Sequence, residues 1–403
     1  MPKGSQLRGF DRILASEVRV SDLLQELTDR DATPWAGIIG MVPVSARRER
    51  PFAKLKKRER AAGSIDLLLE SRDGDEVALE LKVGHVFDED QRTRYESSTG
   101  GSLFLLGMAA DRHLVEDYPR WGFRVLAEVF EAWTSSSDED ACRFALLATE
   151  TLQRWDVAVD AVFRPVAEDA KLDSLREKFL AVLVSRRLAH DVRRRGWLSL
   201  AGLSSGSSGL ALVQGFAPLN GDEDRRLIAE IRWVEGLRRI NFRLGIDFWT
   251  EETRDTRAEA WSLAKKMSDS ICIDSFRRHL ERARPDLGPL VTFRGGGGRS
   301  VPDDDCWLPV VERGLKSKSN PDGVPGPKGV NGTRSNVKPG FVGDGALRFE
   351  ASGQISAADV DAIDLLDLID EGLAYLCWEL PDGYSSAMTA GSRTPSRIGS
   401  RGR

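Results

Sequence analysis

Cysteine is scarce in this 403-residue chain, and its four copies, Cys142, Cys272, Cys306 and Cys377, stand far apart with no C-x-x-C pair and no clustering with the four histidines. That excludes a disulfide framework and the closely spaced ligands of a structural zinc site. Long apolar runs are also lacking. No segment approaches the roughly 18 consecutive apolar residues of a membrane span, and the opening MPKGSQLRGF holds no signal-peptide core. A cytoplasmic protein without membrane contact is the expectation. Neither sign of charge dominates, since 58 basic and 63 acidic side chains leave a net charge of −5. A protein that coats nucleic acid by charge alone is therefore excluded. Hydrophobic residues at 41% and charged residues at 30% are ordinary for a folded soluble chain. The length exceeds one usual core of about 100 to 150 residues, so two or three domains are expected.

Along the chain, apolar residues at 11–27 recur at helical spacing, as one helix or two short ones, with Ser21 placed to cap the second. Residues 34–46 are apolar without a period. The run RRERPFAKLKKRER at 47–60 then sets eight basic side chains against two acidic ones, a net of +6 over fourteen residues. Its basic members, Arg47, Arg48, Arg50, Lys54, Lys56, Lys57, Arg58 and Arg60, suit either a solvated loop or contact with a phosphate backbone. SIDLLLE at 64–70 reads as a strand, RDGD at 72–75 as a turn, and VALELKV at 77–83 as a strand that alternates strictly. A helix over 88–98, a strand over 102–108, a helix over 124–134 and a further apolar strand over 142–151 follow. Later come a long amphipathic helix at 172–194, two strands at 197–216, alternating strands at 228–234 and 240–248, and a helix at 257–283. Residues 295–345 are rich in Gly, Pro, Ser and Asn and read as loop or linker. A short strand at 346–350 and a helix at 356–376 precede a disordered tail at 385–403.

Chemistry concentrates at 66–95. Glu80 and Lys82 are two residues apart on a strand and therefore share a face. Asp66 precedes Glu80 by thirteen intervening residues, and DQRTRY at 90–95 places Gln91 and Tyr95 at i and i+4 on one helical face. Hydrolysis of a phosphodiester needs a nucleophilic water and relief of charge on phosphate oxygens; a carboxylate-held divalent cation can supply both.

This D…E-x-K arrangement, followed by Q-x-x-x-Y on the next helix, resembles the core of the PD-(D/E)xK nuclease superfamily. The resemblance covers about a tenth of the chain. It implies an α/β, restriction-endonuclease-like core over 1–168, a mixed sheet flanked by helices, joined to a C-terminal α+β accessory domain at 169–294 on which 346–384 packs. It further implies Asp66 and Glu80, with the carbonyl of Leu81, as ligands of Mg²⁺, Mn²⁺ being a substitute. Lys82 and Gln91 would serve the attacking water and Tyr95 would support them. Glu17, in Glu17-x-x-x-Ser21, is similar to the acid that many members carry on their first helix. The implied activity is cutting of nucleic acid, DNA ahead of RNA, by a monomer or homodimer, with phage defence as a setting; the rival is a nuclease-fold module that binds nucleic acid or a partner protein without cutting. The family's proline is replaced by Ile65. Register sets a condition: a two-residue turn at Asp73-Gly74 would put Asp66 on the wrong side of the sheet, so an odd loop or bulge is expected, bringing Asp66 opposite Lys82.

Other signals have plainer readings. His85 suits a solvated strand end. Gly295 to Gly298 lacks the Lys-Ser/Thr of a phosphate-binding loop. Trp233, Phe248 and Trp249 at alternating positions suit a core as well as base stacking, and Arg186, Arg187, Arg193, Arg194 and Arg195 suit a helix C-terminus as well as a nucleic-acid groove.

Overall fold

The computed structural model describes residues 9–51, 64–83, 87, 89–164, 170–175, 178–203, 210–234, 237–248, 253–293, 302–316, 320–325, 340–342 and 346–386. His85, Trp249, Lys54, Lys56, Lys57, Arg58, Arg60 and the Gly295 to Gly298 run lie outside them, as does most of the 385–403 tail.

The N-terminal half is built from α1 (Gly9–Leu14), α2 (Glu17–Arg30), α3 (Trp35–Ile39), β1 (Ser45–Pro51), β2 (Ser64–Glu70), β3 (Glu76–Lys82), α4 (Glu89–Ser98), β4 (Ser102–Gly107), β5 (Trp121–Val125), α5 (Leu126–Glu131) and α6 (Glu139–Ala161). Its five strands form one mixed sheet in sequence order; β1, β2 and β3 run antiparallel, while β4 and β5 are parallel to β3. The alternation of β3 is realised on two buried faces. Val77, Leu79 and Leu81 enter the main core with Val20, Leu24 and Leu27 of α2, whereas Ala78 joins a smaller cluster with Leu105, Tyr95 and Trp121 under α4. Glu80 and Lys82 extend that second face.

The five-residue connection at 71–75 fixes the register. Ser71 Oγ accepts from the amides of Asp73 and Asp75, and Gly74 sits at φ 84°, where a side chain would be strained. Glu70 pairs with Glu76 and Leu67 with Leu79. The loop is odd, as the chemistry required, but continuing its register sets Asp66 across from Glu80 rather than Lys82. The expected partner was one pleat off; the expected face was right.

The second half comprises α7 (Lys178–Arg194), β6 (Leu198–Leu203), β7 (Ala211–Leu219), β8 (Asp222–Trp233), β9 (Arg239–Phe248), α8 (Arg254–Lys266), α9 (Ile273–Ala283), α10 (Asp304–Arg313), β10 (Gly340–Val342), β11 (Ala346–Ser356) and α11 (Ala362–Trp378). A six-stranded antiparallel sheet, ordered β10-β11-β9-β8-β7-β6, is covered on one face by α7 and α11. One apolar cluster runs without interruption from α2 through α6 and α7 to α11.

Several expectations fail for identifiable reasons. The apolar run at 142–151 is part of helix α6, whose Ala141, Ala145, Ala148, Leu152, Trp155 and Val159 recur at three- and four-residue steps and are buried. Residues 124–134 divide into the end of β5, the whole of the short helix α5 and the turn that follows it. The basic run opens on a strand, β1, that had no apolar alternation to reveal it. Ser21 lies inside α2, donates to the Val18 carbonyl and accepts from Arg48 Nε, so it caps nothing. The loop-rich 295–345 stretch contains α10, anchored by Trp307 against Trp261. Trp233 and Phe248 are core residues. No helix among the described residues is long and apolar enough to cross a membrane, and the four cysteines are free.

Candidate active site

Adjacent strands β2 and β3 bring Asp66 and Glu80 to one face, and the next inward-facing position of β3 adds Lys82. Asp66 Oδ2 accepts from the Leu81 amide at 2.8 Å, so the acid is tied to the strand that carries its neighbours. Glu80 has no exposed surface and Lys82 is 3% exposed. Lys82 Nζ contacts Glu80 Oε1 directly.

Helix α4 lies over this face, and its i, i+4 spacing delivers both predicted residues to Glu80. Gln91 Nε2 donates to Glu80 Oε1 at 2.5 Å, and the Tyr95 hydroxyl donates to Glu80 Oε2. The same hydroxyl accepts from the Asp66 amide at 3.1 Å, which makes it a bridge between β2 and β3. Tyr95 is fully buried, its ring 5.6 Å from that of Trp121.

Glu17 arrives from the opposite face. As the first residue of α2 it reaches round the end of β3, where Oε1 accepts from the Val83 amide at 2.9 Å and Oε2 lies 3.8 Å from Lys82 Nζ. Of the basic residues, Arg47 pairs with Glu70 at 2.8 Å, and Arg48 pairs with Asp22 as well as Ser21. Arg50 lies on β1. The structure thus brings together Glu17, Asp66, Glu80, Lys82, Gln91 and Tyr95, and leaves the described basic residues on the neighbouring strand.

The electrostatics follow from crowding three carboxyls around one ammonium out of water. Burial raises Glu80 to about 8, against the pull of Lys82, and Asp66 adds to the rise. Burial also raises Asp66, opposed by its bond from Leu81 and by Lys82. Burial would deprotonate Lys82, but Glu80 and Glu17 outweigh it and hold the ammonium above its usual range. Tyr95 is pushed far up by burial and by Glu80, so its hydroxyl remains a donor. The site is short of positive charge.

That shortage is what a divalent cation would relieve, and carboxylate oxygens are the hard donors that magnesium prefers. Among the described residues no group of three or more His, Cys, Asp or Glu side chains is placed to hold a metal. The protein's share would be two carboxylates.

One buried ion pair near the site escaped the sequence. Asp111, on the 3-10 turn Ala109–Leu114 after β4, is fully buried and pairs with Arg186 of α7 at 2.7 Å. Burial raises Asp111 to about 6 despite Arg186, and Glu17 contributes to the rise. The two residues are 75 positions apart, and only the packing of α7 on this turn reveals them. No protein family, curated protein or solved structure matches this chain, and the geometry of the site alone carries its functional reading.

Proposed function

We propose that this chain is a metal-dependent phosphodiesterase of the PD-(D/E)xK type, cutting nucleic acid, with DNA favoured over RNA. The carrying observation is that Asp66, Glu80 and Lys82 meet on one buried face while Gln91 and Tyr95 both bond Glu80. The order of helix, three antiparallel strands, helix and parallel strand supports a restriction-endonuclease-like core.

Asp66 and Glu80, with the carbonyl of Leu81, would hold Mg²⁺ or Mn²⁺, which when bound supplies an activated water and offsets charge on the phosphate. Lys82 stays protonated, so it is no general base; its ammonium orients the water and stabilises the charge that grows on the phosphoryl oxygens. Gln91 and Tyr95 fix the Glu80 carboxyl in place. Glu17 holds the end of β3 and steers Lys82 toward the site. Arg47 and Arg48 would exchange their present carboxylate partners for phosphates, which positions a backbone without reading sequence. A homodimer would place two such sites for two strands.

One observation favours the rival, a module that binds without cutting. Both Glu80 oxygens already accept protein donors, so cation binding must displace or share them. The deciding experiment incubates linear, circular and single-stranded DNA, and RNA, with Mg²⁺, Mn²⁺ or EDTA, using wild type, Lys82→Ala and Asp66→Ala. Metal-dependent cutting lost in both variants is expected. Binding without cutting under every condition would replace the enzyme with the binding module.

A further inference from the structure

Helix α6 buries one face in the core and turns an apolar stripe toward solvent. Leu146, Leu147 and Val157 are 46%, 43% and 68% exposed, whereas each other helix shows at most one large apolar side chain so exposed among the described residues. Scattered apolar residues on a surface need no explanation. These three, however, share their stripe with Arg143, Glu150 and Arg154, all exposed, within an arc of roughly 100° at 3.6 residues per turn. Arg143 and Glu150 have no ion-pair partner among the described residues. Arg154 pairs with Asp11 of α1 at 3.2 Å, an exposed contact that is worth little and is readily exchanged.

Read in reverse, the stripe is its own complement. About residue 152 as centre, Glu150 and Arg154 stand two positions to either side, Leu147 and Val157 five, and Asp140 and Arg164 twelve. Reversal therefore exchanges acid for base and apolar for apolar. Two such helices laid antiparallel about a two-fold axis at that centre set Glu150 against the partner's Arg154 and Leu147 against the partner's Val157, each twice, as a self-complementary interface requires. The antiparallel arrangement also brings the positive end of each helix beside the negative end of the other. The charges select one register, because moving the centre to residue 150 or 154 sets Glu150 or Arg154 against its own copy.

We propose that two copies of this chain associate through α6 in this antiparallel register, with Leu146, Leu147 and Val157 covered and Glu150 bonded to the partner's Arg154. The contact is one helix wide, which suits a weak dimer with a dissociation constant on the order of micromolar. None of its residues belongs to the candidate active site, so the surface stands on this geometry whether or not the chain cuts nucleic acid.

Sedimentation equilibrium of the full-length protein at concentrations up to about 100 μM tests it. A monomer–dimer equilibrium is expected for wild type and its loss in Leu147→Asp. Glu150→Arg and Arg154→Glu each place like charges at both contacts and should each weaken association about tenfold or more. An equimolar mixture of those two variants should recover wild-type association, since each supplies the charge that the other lacks. A variant that had failed to fold could not be rescued by mixing, and far-UV circular dichroism checks each one. The proposal is overturned if wild type stays monomeric throughout, if Leu147→Asp leaves a dimer intact, or if the mixture associates no better than the single variants.

Discussion

Replacing Tyr95 with Phe removes one oxygen and leaves the buried ring in its contact with Trp121. That oxygen joins two strands, accepting from the Asp66 amide and donating to Glu80. Losing the first bond strands a partly buried amide, and losing the second takes a donor from a buried carboxyl. At pH 6 Glu80 is protonated, since its pKa is raised to about 8, so the loss involves neutral partners and should cost roughly 2 kcal/mol. At pH 9 Glu80 is charged, and a bond to a charged group is worth more, so the cost should rise to about 3–4 kcal/mol. The sign is fixed by linkage. A carboxyl whose folded pKa lies above its unfolded value gives stability that is complete below about 4.5 and is lost as pH climbs through 8. Removing Tyr95's donor raises Glu80 further and extends that loss to higher pH in Tyr95→Phe. Urea unfolding followed by tryptophan fluorescence at pH 6 and pH 9 measures both values. A penalty below about 0.5 kcal/mol at both pH values, or one equal at the two, would refute the bridging role.

Other outcomes follow from the same structure. Adding Mg²⁺ at about ten times its Kd should stabilise wild type by about 1.4 kcal/mol and leave Asp66→Ala unmoved, read by thermal unfolding. Arg186→Ala leaves Asp111 buried without its counter-charge and should cost about 3–5 kcal/mol, with Asp111→Asn/Arg186→Ala recovering part of it. Gly101→Ala drives a methyl to 1.8 Å from the Glu76 carbonyl oxygen, backbone that cannot yield, so a loss of about 1–3 kcal/mol or more in urea unfolding is expected.

What the sequence disclosed and what it hid divide along physical lines. Strict alternation at 77–83 and the i, i+4 pair Gln91 and Tyr95 are local signals, and both led to groups that meet. The partner of Asp66 depended on how Asp73, Gly74 and Asp75 of the five-residue loop hydrogen-bond to Ser71, a detail no propensity encodes, and so the expected register was one pleat off. The stretch at 142–151 was misread because Phe144, Leu146 and Leu147 are partly or well exposed apolar residues that blur the helical stripe of α6. β1 carries arginines in place of apolar residues because it is the edge of its sheet, where outward side chains meet solvent and helix α2. The Asp111–Arg186 pair was invisible, because Arg186, expected at a helix C-terminus, lies buried in the middle of α7 and has no meaning for Asp111 until that helix is placed against the turn.

That last contact reaches beyond stability. A guanidinium from the helix that covers the six-stranded sheet sits behind the acid cluster of the five-stranded one. Cutting the gene near residue 168 to express a minimal N-terminal fragment would therefore deliver a piece with an uncompensated acid at its back and the apolar flank of α6 laid bare. An inactive fragment would say nothing about Asp66, Glu80 or Lys82, and only point substitutions in the intact chain can.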